Sequence, residues 1–195
     1  MSLPLVPTKA ADSDLAGLLG THWQRTRRML TNVVAAMPEE KYDFRPVKEV
    51  RSFRELALHV IQDGMANTGW AVGISREESE KMAKKYENYK TRDEILRGIN
   101  EMFDYGDKIM AQVNEQNAQD IVTGMRGERM TRFEAAMVAF EDMTSLYGNF
   151  EVYLRLNGVV PPSTVNSEAE RMENQRKNKE AGIAPAPVVE GEHQH

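Results

Sequence analysis

Three segments of this 195-residue chain begin with the same helix-start signal, and this repetition restricts the fold more than any other feature. In each segment a hydroxyl-bearing residue is followed three positions later by glutamate. The hydroxyl and the carboxylate of such a capping box accept hydrogen bonds from backbone N–H groups that a helix start leaves unpaired. The sequence therefore predicts three helix starts, at Ser52 with Glu55, Thr91 with Glu94, and Thr131 with Glu134.

Apolar residues behind these caps recur every three or four positions, as they do on one face of an amphipathic helix. The same spacing predicts a further helix from Asp12 to Met37, which Pro38 ends. Asn157-Gly158 and Pro161-Pro162 end the last helix, because glycine adopts a left-handed cap and proline cannot continue a helix. No strand pattern competes with these segments. Four helices of roughly 20 to 27 residues, each with an apolar stripe, predict an all-α four-helix bundle.

The length of the chain is that of a single domain. We expect residues 1–11 to form an N-terminal arm and residues 12–162 to form the bundle. The segments 38–51 and 73–90 are long enough to cross an end of the bundle, so a simple up-down-up-down order is not assured. Residues 163–195 are a polar tail that offers little to bury, and we expect it to be partly disordered.

Composition excludes several classes of protein. The chain has 30 acidic and 25 basic side chains, a net charge of −5, and no block of lysine and arginine, so we expect no nucleic-acid partner. It contains no cysteine, which removes disulfides and thiolate metal sites. No apolar run approaches the roughly 18 residues of a membrane span, and Met1–Ala11 lacks a signal-peptide pattern. We therefore expect a soluble, cytoplasmic protein with no membrane partner.

The histidines are the first residues to consider for chemistry, because there are only four. His193 and His195 lie in the tail, where we expect them to be solvated. His22 adjoins Trp23 in the first helix, where its position favours a surface or partly packed histidine over a metal ligand. His59 lies off the centre of its apolar stripe, and the pattern leaves open whether it is a boundary residue or a functional one.

Two stretches carry a resemblance to a known family. "MPEEKYDFRPVKEVRSFRELALHVIQDG" and "MTRFEAAMVAFEDMTSLYGNFEVYLRLNGVVPP" resemble the corresponding pieces of the DinB-like (DinB/YfiT) superfamily, and the similarity spans residues 12–162. The resemblance implies a four-helix bundle, usually a homodimer, with a divalent metal held by three histidines between the second and fourth helices. Members with known activity resemble thiol-dependent S-transferases or isomerases that act on small electrophiles.

This sequence departs from the family pattern at the implied metal ligands. His59 matches the histidine of the second helix, but Asp142 and Leu146 stand at the two histidines of the fourth, and Tyr147 stands at an adjacent arginine. Imidazole and carboxylate can bind Zn²⁺ or Ni²⁺, whereas leucine has no lone pair to offer. We therefore expect no tightly bound cofactor, with weak divalent metal binding by His59 and Asp142 as the alternative. Asp63, one turn beyond His59, is a candidate third ligand.

The substitution by leucine also predicts a drier pocket, with Asp63, Leu146 and Tyr147 in its wall. A carboxylate in such a wall needs a partner, so we expect Asp142 to form a hydrogen bond with His59. This pair would raise the pKa of the histidine and lower that of the carboxyl group. It could serve as a structural bridge or as an acid–base dyad.

Two classes of function remain open, and whether the protein is an enzyme stays undecided. The first is a degenerate-site bundle that binds a small apolar or electrophilic ligand, or a partner. The alternative is a divergent metal- or thiol-dependent transferase or hydrolase that uses His59 and Asp142 as its catalytic residues. A homodimer is also expected, from the resemblance and from a second apolar stripe on the last helix that contains Ala135, Val138, Ala139 and Leu146.

Overall fold

The four predicted helices form, and each begins within a few residues of its expected start. The computed structural model describes residues 14–124 and 126–180. The three predicted capping boxes are present, and Asp14 caps the first helix by accepting a hydrogen bond from the backbone of Gly17. The helices are α1 (Leu15–Ala36), α2 (Phe53–Trp70), α3 (Arg76–Ala83), α4 (Arg92–Met110), α5 (Arg132–Leu156) and α6 (Pro162–Glu180).

Two short elements were not predicted. Helix α3 lies in the segment interpreted as a connection, although Ser75 and Glu78 form a fourth capping box there. An antiparallel hairpin of β1 (Ile121–Thr123) and β2 (Arg129–Thr131) precedes α5. The prediction that no strand competes with the helices is therefore wrong at this point. Strands of three residues are too short to show an alternating pattern.

In the bundle, α1 lies diagonally opposite α2, and α4 lies diagonally opposite α5. Helix α1 packs against α4 and α5, and α2 packs against the same two helices, while α3 covers part of α2. The order around the bundle is therefore α1, α4, α2, α5. Of the long connections identified in the sequence, 38–51 crosses from α1 to α2, whereas 73–90 joins the neighbouring helices α2 and α4. The crossing from α4 to α5 is made by the segment that contains the hairpin. No helix in the described segments is long and apolar enough to cross a membrane.

Aromatic contacts join neighbouring helices in the core. The ring of Trp23 on α1 lies 4.8 Å from that of Phe103 on α4, and its indole Nε1 donates to the Phe103 carbonyl at 3.0 Å. Phe53 on α2 lies 5.0 Å from Phe150 on α5, with both side chains fully buried. A close approach of α1 to α4 is possible because Gly106 has no side chain, and a Cβ there would overlap the Trp23 ring.

The second apolar stripe predicted on the last helix is not a free surface. Ala135 and Ala139 are fully buried, Leu146 is nearly so, and all three belong to the core. The helix itself ends as expected, since Gly158 adopts a φ of 72° just after it. Pro162 then begins α6, which runs through the first part of the segment identified in the sequence as a polar tail. Residues 1–11 and 182–195 lie outside the described residues.

We predict that Gly106→Ala destabilises the protein by about 1–3 kcal/mol, because the added methyl group overpacks the contact with Trp23. Gly148→Ala is the matched control, since Gly148 is also helical, is exposed, and has no neighbouring atom within 4 Å of the place a Cβ would take. It should leave stability unchanged or raise it by up to ~1 kcal/mol. Chemical denaturation of both variants measures the difference, and equal stability would contradict the packing described here.

Candidate functional site

A cavity of about 630 Å³ lies among α2, α3 and α5. Helix α2 supplies His59, Asp63, Asn67 and Trp70, whose spacing of three or four residues puts them on one helical face. Asp142 on α5 reaches the same cavity from the neighbouring helix. The structure thus brings together His59, Asp63 and Asp142, which were three of the predicted site residues.

The predicted hydrogen bond between His59 and Asp142 is not formed. Nε2 of His59 lies 2.9 Å from Oδ2 of Asp63, one turn along the same helix. Oδ2 of Asp142 instead accepts a hydrogen bond of 3.1 Å from Nδ2 of Asn67. Within residues 14–124 and 126–180, no hydrogen bond or ion pair joins His59 to Asp142. The prediction failed because Asp63 and Asn67 offer each group a partner on α2 itself.

The pKa of Asp142 also moves opposite to the prediction. Burial raises it most, the negative charge of Asp63 adds to the increase, and His59 opposes both effects only in part, so that the pKa moves from 3.8 to about 6. The expected lowering of this pKa rested on a direct bond to the histidine, and it is wrong. A neutral amide partner does not offset the free energy of burying a carboxylate. Asp142 therefore exchanges its proton close to neutral pH.

Leu146 and Tyr147 do not reach the cavity. Leu146 is 6% exposed and packs in the hydrophobic core, while the hydroxyl of Tyr147 donates to Glu151 at 2.8 Å. The wall that the sequence predicted to be apolar instead combines charged and amide side chains with apolar ones such as Ala66, Trp70 and Val138. Leucine at this position fills the core, and it does not make the cavity apolar.

The arrangement of these donors does not fit the three-ligand metal site that the resemblance implied. The Nε2 atom of His59 is engaged by Asp63, Asp142 is bonded to an amide, and the third position is a core leucine. In the described part of the chain, no three histidine or acidic side chains are placed as a metal-binding group.

Asn67 and the charged residues of α3, which were not predicted from the sequence, complete the cavity. Asn67 is 8% exposed, and Arg76 and Glu80 form an ion pair at 2.6 Å at the rim. Trp70 also lines the cavity and is 4% exposed. The spacing of residues 59, 63, 67 and 70 was a usable signal for the α2 face. The contribution of α3 had no such signal, because that helix was not predicted.

These features define a four-helix bundle protein with a charged cavity between its second and last bundle helices. The chain belongs to the DinB family, whose sequence model matches residues 9–180. The resemblance recognised in the sequence is thereby confirmed.

Solved structures of DinB-like proteins share the fold. One from Bacillus cereus has 12% identity and a TM-score of 0.64, over 78% of this chain and 98% of the other. One from Bacillus subtilis has 17% identity and a TM-score of 0.57, over 72% and 92%. A protein from Exiguobacterium sibiricum, described as a member of the DinB family, has 21% identity and a TM-score of 0.58, over 76% and 93%. None of the curated protein sequences compared with the chain matches it.

We predict that Asp142→Asn stabilises the protein at pH 8 and has a much smaller effect at pH 4. The folded-state pKa of this carboxyl is raised from 3.8 to about 6, so the stability that protonation provides is complete below 3.8 and is lost as the pH rises from there through 6. Asparagine resembles the protonated acid and can still accept from Asn67. Thermal denaturation should show a gain of about 2–4 °C at pH 8. An equal change at both pH values would contradict the raised pKa.

Proposed function

We propose that the protein binds a small polar molecule in the cavity among α2, α3 and α5. The observation that carries this proposal is a cavity of about 630 Å³ with a half-buried carboxyl group in its wall. Ligand pockets in proteins commonly measure about 300–1,000 Å³ and place a few polar groups in a largely apolar wall. The charged lining favours a polar ligand over the apolar one expected from Leu146.

A catalytic role for His59 and Asp142 is the second candidate, and the pKa of Asp142 favours it. A carboxyl with a pKa of about 6 can both accept and donate a proton near neutral pH, as general acid–base catalysis requires. In such a transferase or hydrolase, Asp142 would move the proton. His59, bonded to Asp63, would orient or polarise the small electrophile. Perturbed carboxyls also occur in binding sites without catalysis, so ligand binding remains the first proposal.

Occupation of the cavity can be tested by filling it. We predict that Ala66→Phe abolishes fragment binding, because Ala66 lines the cavity and a phenyl ring would occupy part of its volume. A fragment library would be screened by amide NMR on the unmodified protein, and binders would be assigned from shifts around His59, Asn67 and Asp142. Ala111→Leu, at an exposed position outside the cavity, is the control and should keep the binding. Hits that persist in Ala66→Phe, or a library without hits, would contradict the proposal.

We also propose that the protein is a homodimer that associates through a groove between α1 and α5. This groove, of about 510 Å³, is lined mainly by apolar side chains, among them Leu15, Met29, Phe133 and Phe140. Leu18 and Met137 line it while 46% and 36% exposed. Apolar surface of this kind supports association between copies, because burying it removes it from water.

We predict that replacing both Leu18 and Met137 by glutamate weakens association at least about tenfold, since charges would be desolvated in the groove. Sedimentation at micromolar concentration measures the association of the variant and of the unmodified protein. Val160→Glu, at a position 61% exposed and outside the groove, is the control and should leave association unchanged. A species of only 22.1 kDa for the unmodified protein would rule out the dimer.

A further inference from the structure

The apolar groove between α1 and α5 has a basic rim on one side and an acidic rim on the other. Arg25 lines the groove from α1 and is exposed, as is Leu18 on the same helix. On α5, Glu141 is exposed one turn after Met137 and one turn before Thr144, and both of these residues line the groove. A molecule that covers the groove therefore meets opposite charges along its two sides.

The two rim charges are available for contacts with a second molecule. Among residues 14–124 and 126–180, the side chains of Arg25 and Glu141 take part in no hydrogen bond or ion pair. Arg27, two positions along α1, is by contrast bonded to Asp104 at 2.6 Å. Charges on complementary surfaces fix the register of two partners and exclude arrangements that bring like charges together.

Helices α1 and α5 run in the same direction. Near the end of α1, the carbonyl of Val34 accepts a hydrogen bond of 3.0 Å from the hydroxyl of Tyr42. The ring of Phe53 lies 5.0 Å from the ring of Tyr42 and 5.0 Å from that of Phe150, which is in the last turns of α5. The C-terminal ends of α1 and α5 therefore lie at the same end of the bundle.

Arg25 and Glu141 lie at the same level along these two parallel helices. The ring centroids of Trp23 on α1 and Phe140 on α5 are 5.6 Å apart, so these two residues mark a common level. Arg25 follows Trp23 by two residues and Glu141 follows Phe140 by one. At the helical rise of about 1.5 Å per residue, the two rim charges differ in level by only about 1.5 Å.

We infer that two copies of the chain associate about a two-fold axis parallel to α1 and α5, with Arg25 of each copy paired with Glu141 of the partner subunit. This inference rests on the proposed homodimer and names the contacts that select its geometry. Such an axis keeps the level of every residue and exchanges the two sides of the groove, so α1 of one copy covers α5 of the other. An axis across the groove would place α1 against α1 and join rims of like charge.

The same axis brings the exposed apolar side chains together. Leu18 precedes Trp23 by five residues and Met137 precedes Phe140 by three, so their levels differ by about 3 Å. Because the interface is two-fold, each contact forms twice, and a dimer contains two apolar contacts and two ion pairs. The groove is complementary to itself in charge and in apolar surface, which is why its occupant is a second copy of this chain.

Charge reversal tests the pairing, because the lost contact can be restored from the other subunit. Arg25→Glu and Glu141→Arg should each weaken self-association at least about tenfold, since each homodimer would contain two like-charge contacts. An equimolar mixture of the two variants should associate within about threefold of the unmodified protein, because both contacts of a mixed dimer join opposite charges. The double variant Arg25→Glu/Glu141→Arg should self-associate for the same reason. Sedimentation at micromolar concentration and low salt measures all four cases.

Lys48→Glu is the matched control for Arg25→Glu. It makes the same change in net charge at a side chain that is 91% exposed and outside the groove. This variant should leave self-association unchanged, which separates the specific contact from general repulsion between copies. Circular dichroism of each variant should show the helical content of the unmodified protein, since Arg25, Lys48 and Glu141 are all exposed.

The possible outcomes separate this inference from the proposed homodimer. Single variants that associate like the unmodified protein, or a mixture and a double variant that stay monomeric, would overturn the pairing while the groove could still be the interface. Tighter association of Arg25→Glu alone would overturn it in favour of an axis across the groove. A species of only 22.1 kDa for the unmodified protein would overturn the inference and the homodimer together.

Discussion

The position of α2 between α4 and α5 is the constraint on which the rest of the structure depends. Its buried face carries Phe53, Val60 and Ile61, which have no exposed surface. The residues at 59, 63, 67 and 70 occupy the adjoining face, where α3 and α5 leave the cavity open. One helix therefore contributes to the core and to the site at once. Any change in its rotation would move both sets of side chains.

The electrostatics of the cavity oppose the stability of the bundle. Two aspartates lie within range of mutual repulsion, and among the described residues only Asp63 has a partner that can carry positive charge. A core selected for stability alone would replace Asp142 by a neutral residue of similar size. Retaining a half-buried carboxyl without an ionic partner is the kind of local conflict that functional sites show. The conflict is limited to one wall, and Phe53, Val60 and Ile61 on the adjoining face of α2 are fully buried.

The sequence predicted the bundle well because its signals are local. A capping box needs only residues i and i+3, and an apolar stripe needs only a helical period, so Ser52, Thr91 and Thr131 marked their helices correctly. The hairpin at Ile121–Thr123 was missed because its strands are too short to alternate. The diagonal order of the helices could not be predicted, since it depends on which apolar faces fit one another.

The candidate site was predicted only in part, because contacts between its side chains are not set by local sequence signals. His59, Asp63 and Asp142 were identified, yet their pairing was not, because it depends on the distances between side chains on two helices. The resemblance suggested Leu146 for the same pocket, but it did not show that this side chain turns into the core. Trp70 was visible as an aromatic residue, while its unpaired indole nitrogen emerges only when the acceptors around it are located.

The pairing of His59 with Asp63 has a consequence for how such a site can change. Because the two residues lie one turn apart on α2, their 2.9 Å contact depends on the helix alone and not on the packing of the bundle. Asp142, by contrast, reaches the cavity only because α5 packs against α2. A substitution on α5 can therefore alter the charge of the cavity without disturbing the pair on α2. The bundle keeps the cavity in place, while single positions on α5 determine which charge a bound molecule meets there.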